Sequence, residues 1–165
     1  MFKNPDKAPK TYTPGEALPK IAAYCAYQER TQREVEEKLK SYGLDEDEAG
    51  EIIIRLSREK LLDEERYAQA YARGKHRTNG WGRRRIKLEM KAKGLSEYCI
   101  KSGLKELDGD EYYDKLKQLL GQRAAREKET HPMKRKMKLM AYLTQKGYES
   151  DLIQEALGEL ADEES

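Results

Sequence analysis

Apolar and polar positions along this chain alternate with the period of a helix, and the pattern recurs three times. Four positions before Gly43, Gly94 and Gly147 stand Leu39, Met90 and Leu143, and eight positions before them stand Val35, Ile86 and Leu139. Directly after the glycines come Leu44, Leu95 and Tyr148, then Ala49, Ile100 and Ile153 six positions on. Ile53, Leu104 and Leu157 follow at ten positions, and Leu56, Leu107 and Leu160 at thirteen. Spacings of three and four place such residues on one side of a helix. The glycines are 51 and 53 residues apart, so one structural unit of about 50 residues is repeated in tandem.

Each unit reads as a helix, a glycine stop and a second helix. Glycine tolerates the left-handed backbone that a helix end commonly requires. Asp45, Ser96 and Ser150 are placed to cap the helices that follow. A further helix precedes each pair. In the first unit it covers about residues 15–29, with Ile21, Tyr24 and Cys25 inward. In the second, Asp63 caps a helix carrying Tyr67, Tyr71 and Gly74 at i, i+4 and i+7, with Tyr67 and Tyr71 expected in the core. In the third, Asp110 opens a helix carrying Tyr113, Leu116, Leu119 and Leu120. Thr31 and Glu34 form a capping box, and Pro132 suits a first helical turn.

Prolines 5, 9, 14 and 19 predict an extended start, and none occurs from Lys20 to His131. The expected organisation is an extended segment 1–14, three-helix repeats over 15–60, 61–107 and 108–160, and a frayed acidic tail 161–165. The fold class is all-α, an elongated array of three tandem three-helix, helix-turn-helix-like repeats stacked end to end.

Composition sharpens this picture. Of 165 residues, 37% are apolar and 39% charged, which suits small modules with thin cores. No apolar run approaches the ~20 residues of a membrane span, and no signal-peptide pattern opens the chain. A soluble, cytoplasmic, monomeric protein is expected, with Cys25 and Cys99 as small buried hydrophobes. The 33 basic and 31 acidic residues leave a net charge of only +2, but they are segregated. Residues 73–93 hold nine bases and one acid, and residues 44–65 nine acids and three bases. Residues 123–140 hold seven bases and two acids, and residues 149–165 seven acids and no base. Alternating blocks of this kind suggest polar contact surfaces.

No phosphate-binding loop, nucleophile elbow or paired-histidine metal helix is present. His76 and His131 read as surface residues, and Asp45–Glu48 as acids favoured at a helix N-terminus rather than a cation site. No catalytic, cofactor-binding or metal-binding residue is expected. The middle basic block is more informative. Arg84, Lys87 and Lys91 share one face of a helix over about residues 82–93, while Ile86 and Met90 form a separate core stripe. Arg73 and Arg77 add charge on the preceding helix, and Lys75, Arg83 and Arg85 complete the block. Between them lies Trp81, flanked by Gly80 and Gly82. Trp81 either plugs a gap between helices or serves as an interface anchor or base-stacking platform. Few Asn or Gln side chains sit on these helices to read base edges, so phosphate contact is favoured over sequence readout.

The run Leu61-Leu62-Asp63-Glu64-Glu65-Arg66-Tyr67-Ala68, then Tyr71-Ala72-Arg73, Gly82-Arg83-Arg84-Arg85-Ile86 and Lys93-Gly94-Leu95, resembles the signature of RecX regulatory proteins. With the triple repeat, the resemblance covers about residues 17–160. The Asn79-Gly80-Trp81-Gly82 loop departs from the Gly-Pro or Gly-Lys-Gly pieces often found there in the family. The resemblance implies an all-helical, non-enzymatic modulator of the RecA recombinase. Such proteins lie in the groove of the RecA–DNA filament and suppress ATP hydrolysis, strand exchange and filament growth. They thereby temper recombination, DNA repair and the SOS response. On that reading Arg73, Lys75, Arg77, Trp81, Arg83, Arg84, Arg85, Lys87 and Lys91 face filament DNA, single- or double-stranded, or acidic recombinase patches. Arg123, Arg126, Lys134, Arg135 and Lys138 offer a second basic surface, and the acidic blocks meet basic recombinase loops. The competing expectation is a stand-alone, non-sequence-specific DNA-binding protein, which would bind bare DNA with a steep salt dependence.

Overall fold

The structure, a computed structural model, describes residues 11–165. Among the described residues all regular secondary structure is helical. The elements are α1 (Pro14–Tyr27), α2 (Gln32–Ser41), α3 (Glu46–Arg58), α4 (Glu64–Asn79), α5 (Arg83–Ala92), α6 (Glu97–Leu104), α7 (Gly109–Arg126), α8 (Pro132–Lys146) and α9 (Ser150–Glu164). The expected all-α tandem repeat is therefore present. By compactness the chain divides into residues 1–67 and 68–165, with the division inside α4.

The three glycine stops share one local geometry. Gly43, Gly94 and Gly147 have φ of 84°, 82° and 103°. The amides of Leu44, Leu95 and Tyr148 donate to the carbonyls of Leu39, Met90 and Leu143 at 3.3, 3.2 and 3.2 Å. The glycine amides donate to Lys40, Lys91 and Thr144, each at 3.0 Å. This is the Schellman arrangement, in which the residue after the glycine folds back onto the helix just ended. Both members of each apolar pair are buried. A short-range sequence signal is thus converted into a fixed helix reversal.

In the first unit, α1, α2 and α3 enclose Ala17, Ile21, Cys25, Val35, Leu39, Ile52, Ile53 and Leu56. Thr13, Thr31 and Asp45 each form a capping box with the glutamate three residues later, and α1 therefore starts at Pro14. Ten residues of the expected extended segment lie outside the described residues. Pro14 and Pro19, however, are helical. Pro19 forgoes one main-chain bond, but the Thr13 cap and the buried Ala17–Ile21–Cys25 stripe outweigh that loss. Tyr24 is only half-buried, with the Arg30 guanidinium 3.6 Å from its ring centre.

In the second unit Leu116 and Leu120 are buried as expected, but the tyrosine positions differ from the expectation by one. The buried residues of α4 are Ala68, Ala72 and His76, whereas Tyr67 and Tyr71 are half-buried and Gly74 is exposed. Small side chains here permit a close approach to α6. A Cβ added at Gly103 would stand 2.7 Å from the Ala68 carbonyl oxygen. On α7 the inward tyrosine is Tyr112, with Leu116, Leu120 and Ala124, while Tyr113 and Leu119 are half-buried. Asp108, not Asp110, is the N-cap. Cys99 is half-exposed, unlike buried Cys25. The expected frayed tail is instead helical to Glu164, where Arg135 holds the Glu164 carboxylate through two bonds of 3.1 Å.

Candidate functional site

The middle basic block lies on α4, α5 and the loop between them, and this loop is clasped to the turn between α8 and α9. The Gly82 amide donates to the Lys146 carbonyl at 2.8 Å, and the Arg84 amide to the Gly147 carbonyl at 2.9 Å. No side chain fits between the two backbones. A Cβ at Gly82 would stand 2.6 Å from the Tyr148 nitrogen, and one at Gly147 2.6 Å from the Arg85 nitrogen.

Beneath the clasp is a polar cluster. The Tyr112 hydroxyl donates to Glu149 in a short hydrogen bond and accepts from the Arg83 amide at 2.9 Å. The Arg83 guanidinium pairs with Glu149 at 2.7 Å and lies 3.8 Å from the centre of the Tyr112 ring. Tyr148 donates its hydroxyl to the Gly80 carbonyl at 3.0 Å. Burial, then the Glu149 carboxylate, pushes the Tyr112 hydroxyl well above the usual phenol range. Glu149, rather than the expected Ser150, is the N-cap residue of α9, and it makes no side-chain cap bond. Its carboxylate is already engaged by Tyr112 and Arg83.

His76 belongs to this cluster and is not a surface residue. It is 8% exposed and stacks on Tyr112 with ring centres 5.2 Å apart. Its Nδ1 donates to the Trp81 carbonyl at 2.9 Å. Burial lowers its pKa below the usual value of 6.5. The Trp81 carbonyl opposes that shift, as does Glu111, while Lys115 and Arg83 reinforce it. The folded state thus binds fewer protons than the unfolded chain as pH falls through about 6.5. Stability is expected to decline over that window and level off below the folded pKa. Thermal melts across pH ~5–7.5 should show the decline in the native protein and a flatter profile in His76→Gln. His131, by contrast, is exposed and caps α8 by accepting from the Lys134 amide at 3.4 Å.

The candidate binding residues fall into two groups. Several are committed within the chain. Arg73 pairs with Glu106 at 3.3 Å, Arg83 with Glu149, Arg123 with Glu127 at 3.8 Å, and Arg135 with Glu164. Lys138 reaches Glu129 at 3.3 Å and Glu127 at 3.8 Å. Lys75 and Arg85 flank the half-buried Trp81 ring, 5.1 and 4.2 Å from its centre. Trp81 is therefore packed among cations rather than sealed inside the fold. The second group is Arg77, Arg84, Lys87, Lys91, Arg126 and Lys134, all exposed. None of these six side chains forms an ion pair among the described residues. Arg84, Lys87 and Lys91 share one face of α5, on a stripe separate from buried Ile86 and Met90.

The structure also adds residues that the sequence pattern did not single out. Lys87 and Lys91 line an open groove of about 520 Å³ with Glu97, Tyr98, Ile100, Lys101, Leu104 and Lys105 of α6 and its C-terminal end. The i, i+4 spacing of Lys101 and Lys105 after the Gly94 stop was the available signal. The acidic block 149–165 is partly consumed within the chain: Glu149 pairs with Arg83, Glu159 with Lys117 at 3.6 Å, and Glu164 with Arg135. Among the described residues no His, Cys, Asp and Glu cluster is suited to a metal ion. No helix there is long and apolar enough to cross a membrane.

Comparison with known proteins follows the repeats one by one. Family models for the first, second and third three-helix domains of RecX match residues 20–56, 63–104 and 110–157. The Regulatory protein RecX of Halalkalibacterium halodurans is 30% identical over 137 residues, covering 83% of this chain and 52% of that protein. That of Mycobacterium sp. (strain JLS) is 30% identical over 138 residues, covering 79% and 75%. The chain spans about half the length of several curated relatives that it matches. The crystal structure of RecX from Lactobacillus salivarius superimposes with a TM-score of 0.83 at 28% identity, covering 90% of this chain and 96% of that one. With each three-helix unit matched in order by the corresponding domain model, the chain belongs to the RecX family of regulatory proteins.

Proposed function

We propose that this chain is a non-enzymatic regulator that binds RecA–DNA filaments in their groove and lowers recombinase ATPase, strand exchange and filament growth. The observation that carries the reading is the exposed face of α5. Arg84, Lys87 and Lys91 project from one side of a helix whose other side is locked into the core. Arg77 adds charge at the end of α4. Exposed cations on a fixed scaffold suit phosphate or carboxylate contact without base readout. Several weak contacts along a tandem repeat would act together on a repeating filament, giving avidity. The committed cations Arg73, Arg83, Arg123, Arg135 and Lys138 serve this role less directly, because their charge is already neutralised within the chain.

The test follows recombinase ATPase on single-stranded DNA while this protein or its Arg84→Ala/Lys87→Ala/Lys91→Ala variant is added. The native protein is expected to inhibit, and the variant to be weaker by about tenfold or more, each exposed charge being worth roughly 1 kcal/mol or less. Equal inhibition by both removes the α5 face from the mechanism, and inhibition by neither removes the recombinase reading. A salt titration against bare single-stranded DNA separates the stand-alone DNA-binding alternative. That alternative requires tight binding without recombinase, with a slope that falls by about 2 when the three cations are removed.

A further inference from the structure

The groove between α5 and α6 differs from the outer face of α5 in its construction. Its floor includes buried Ile100 and half-buried Leu104, and Lys87, Lys91, Lys101 and Lys105 stand around it. At its rim Tyr98 is 71% exposed, among the most exposed large hydrophobic side chains of the described residues. The same inter-helix space in the first repeat, between α2 and α3, carries opposite charge. It is lined by Glu36, Glu37, Asp45 and Glu46 against Arg33 and Lys40. Measured from the glycine stops, Lys87 replaces Glu36, Tyr98 replaces Asp47, Lys101 replaces Gly50 and Lys105 replaces Ile54. One scaffold position thus carries four lysines and a tyrosine in the second repeat.

We infer that the α5–α6 groove binds an acidic peptide segment of a protein partner, one carrying an aromatic or aliphatic side chain among its carboxylates. This rests on the filament-regulator reading and assigns the groove to the protein component of that partner. The aliphatic floor accepts an apolar side chain, Tyr98 covers it, and the four ammonium groups pair with carboxylates on either side. Nucleic acid suits the groove less well. Glu97 stands among the lining residues and repels a backbone charged at every step, whereas a peptide can present a neutral residue there. Arg83, the other basic residue of the lining, has its guanidinium held by Glu149 and Tyr112. That removes the forked donor that phosphate favours.

The probe is a short synthetic peptide of glutamates interrupted by one central phenylalanine, carrying a fluorophore and read by anisotropy without recombinase. Saturable binding is expected, about tenfold weaker for Tyr98→Ala, for Lys101→Gln/Lys105→Gln and for a peptide with alanine in place of phenylalanine. A thymidine oligonucleotide should bind the native protein and both variants within about twofold of one another, and lose affinity in Arg77→Ala/Arg84→Ala. A flat peptide titration overturns the assignment. So does oligonucleotide binding that falls with Tyr98 and Lys101, which would make the groove a nucleic-acid site. Self-association that Lys101→Gln/Lys105→Gln abolishes overturns it as well, by giving the groove to a second copy. Co-sedimentation of the native protein with recombinase filaments, run in parallel, tests the wider reading independently of the peptide.

Discussion

Gly82→Ala is expected to destabilise residues 68–165 by about 3–5 kcal/mol, more than any surface substitution in the chain. The added methyl would enter the space held by the Gly147 carbonyl and the Tyr148 amide. Both belong to a turn that is itself fixed by the Schellman bonds ending α8. Overfilling a packed site costs about 1–3 kcal/mol. Separating the backbones also breaks the Gly82–Lys146 and Arg84–Gly147 hydrogen bonds, at about 1 kcal/mol each. A domain stabilised by about 5–15 kcal/mol would lose a large share of its margin. Urea unfolding followed by Trp81 fluorescence measures this directly, because Trp81 is the only tryptophan and adjoins the clasp. An unchanged midpoint would show that the loop moves aside without penalty. Gly121→Ala, where an added Cβ meets nothing within 4 Å on an exposed part of α7, should leave the midpoint unchanged or raise it.

The second large effect is expected at Glu149. Its carboxylate receives the Tyr112 hydroxyl and the Arg83 guanidinium at once. Glu149→Ala strips both partners of their acceptor and leaves Arg83 in contact with the Tyr112 ring without its counter-charge. Removing one member of a buried pair costs about 3–5 kcal/mol. Side chains 29% and 28% exposed here bring the expectation down to about 2–3 kcal/mol, because solvent screens part of the loss. Tyr112→Phe removes only the hydroxyl and should cost about 1–2 kcal/mol. The double variant should cost less than the sum of the two, since the carboxylate and the hydroxyl are partners. Strict additivity in denaturant midpoints would mean that Tyr112 and Glu149 do not act together.

The parts of this structure that were legible in the sequence are those decided within a few residues. A positive φ at Gly43, Gly94 and Gly147 is a local demand, and glycine answers it visibly. The capping box at Thr31 and Glu34 and the first-turn Pro132 are equally short in range. The positions that differ from expectation share the opposite character. Reading α4 by its largest residues selects Tyr67 and Tyr71, but Ala68 and Ala72 are buried, and Ala68 meets Gly103 of α6. Ser150 has the chemistry of an N-cap, yet Glu149 occupies that position because Arg83, 66 residues away, holds its carboxylate. His76 is spaced like a surface residue but is buried, with Tyr112 and Tyr148 against its ring from another repeat.

For the candidate basic surface, the division was similar. The exposed face of Arg84, Lys87 and Lys91 followed from helical periodicity alone. Neutralisation of Arg73 by Glu106 and of Arg135 by Glu164 did not, because it depends on how helices meet. Charge counts along the chain placed the basic blocks correctly but said nothing of which charges the fold consumes. The groove formed with α6 was hidden for the same reason, since Lys101 and Lys105 lie outside the densest basic run.

Arg84 takes part in both the clasp and the exposed basic face. Its amide bonds the Gly147 carbonyl, while its guanidinium is exposed on the outer face of α5. Because the clasp is made by main-chain groups, any residue other than proline can supply that amide. The charge carried at this position can therefore be inverted or erased without rewriting the join beneath it. Surface charge and architecture are inherited through different atoms of the same residue, so one can drift while the other stands still.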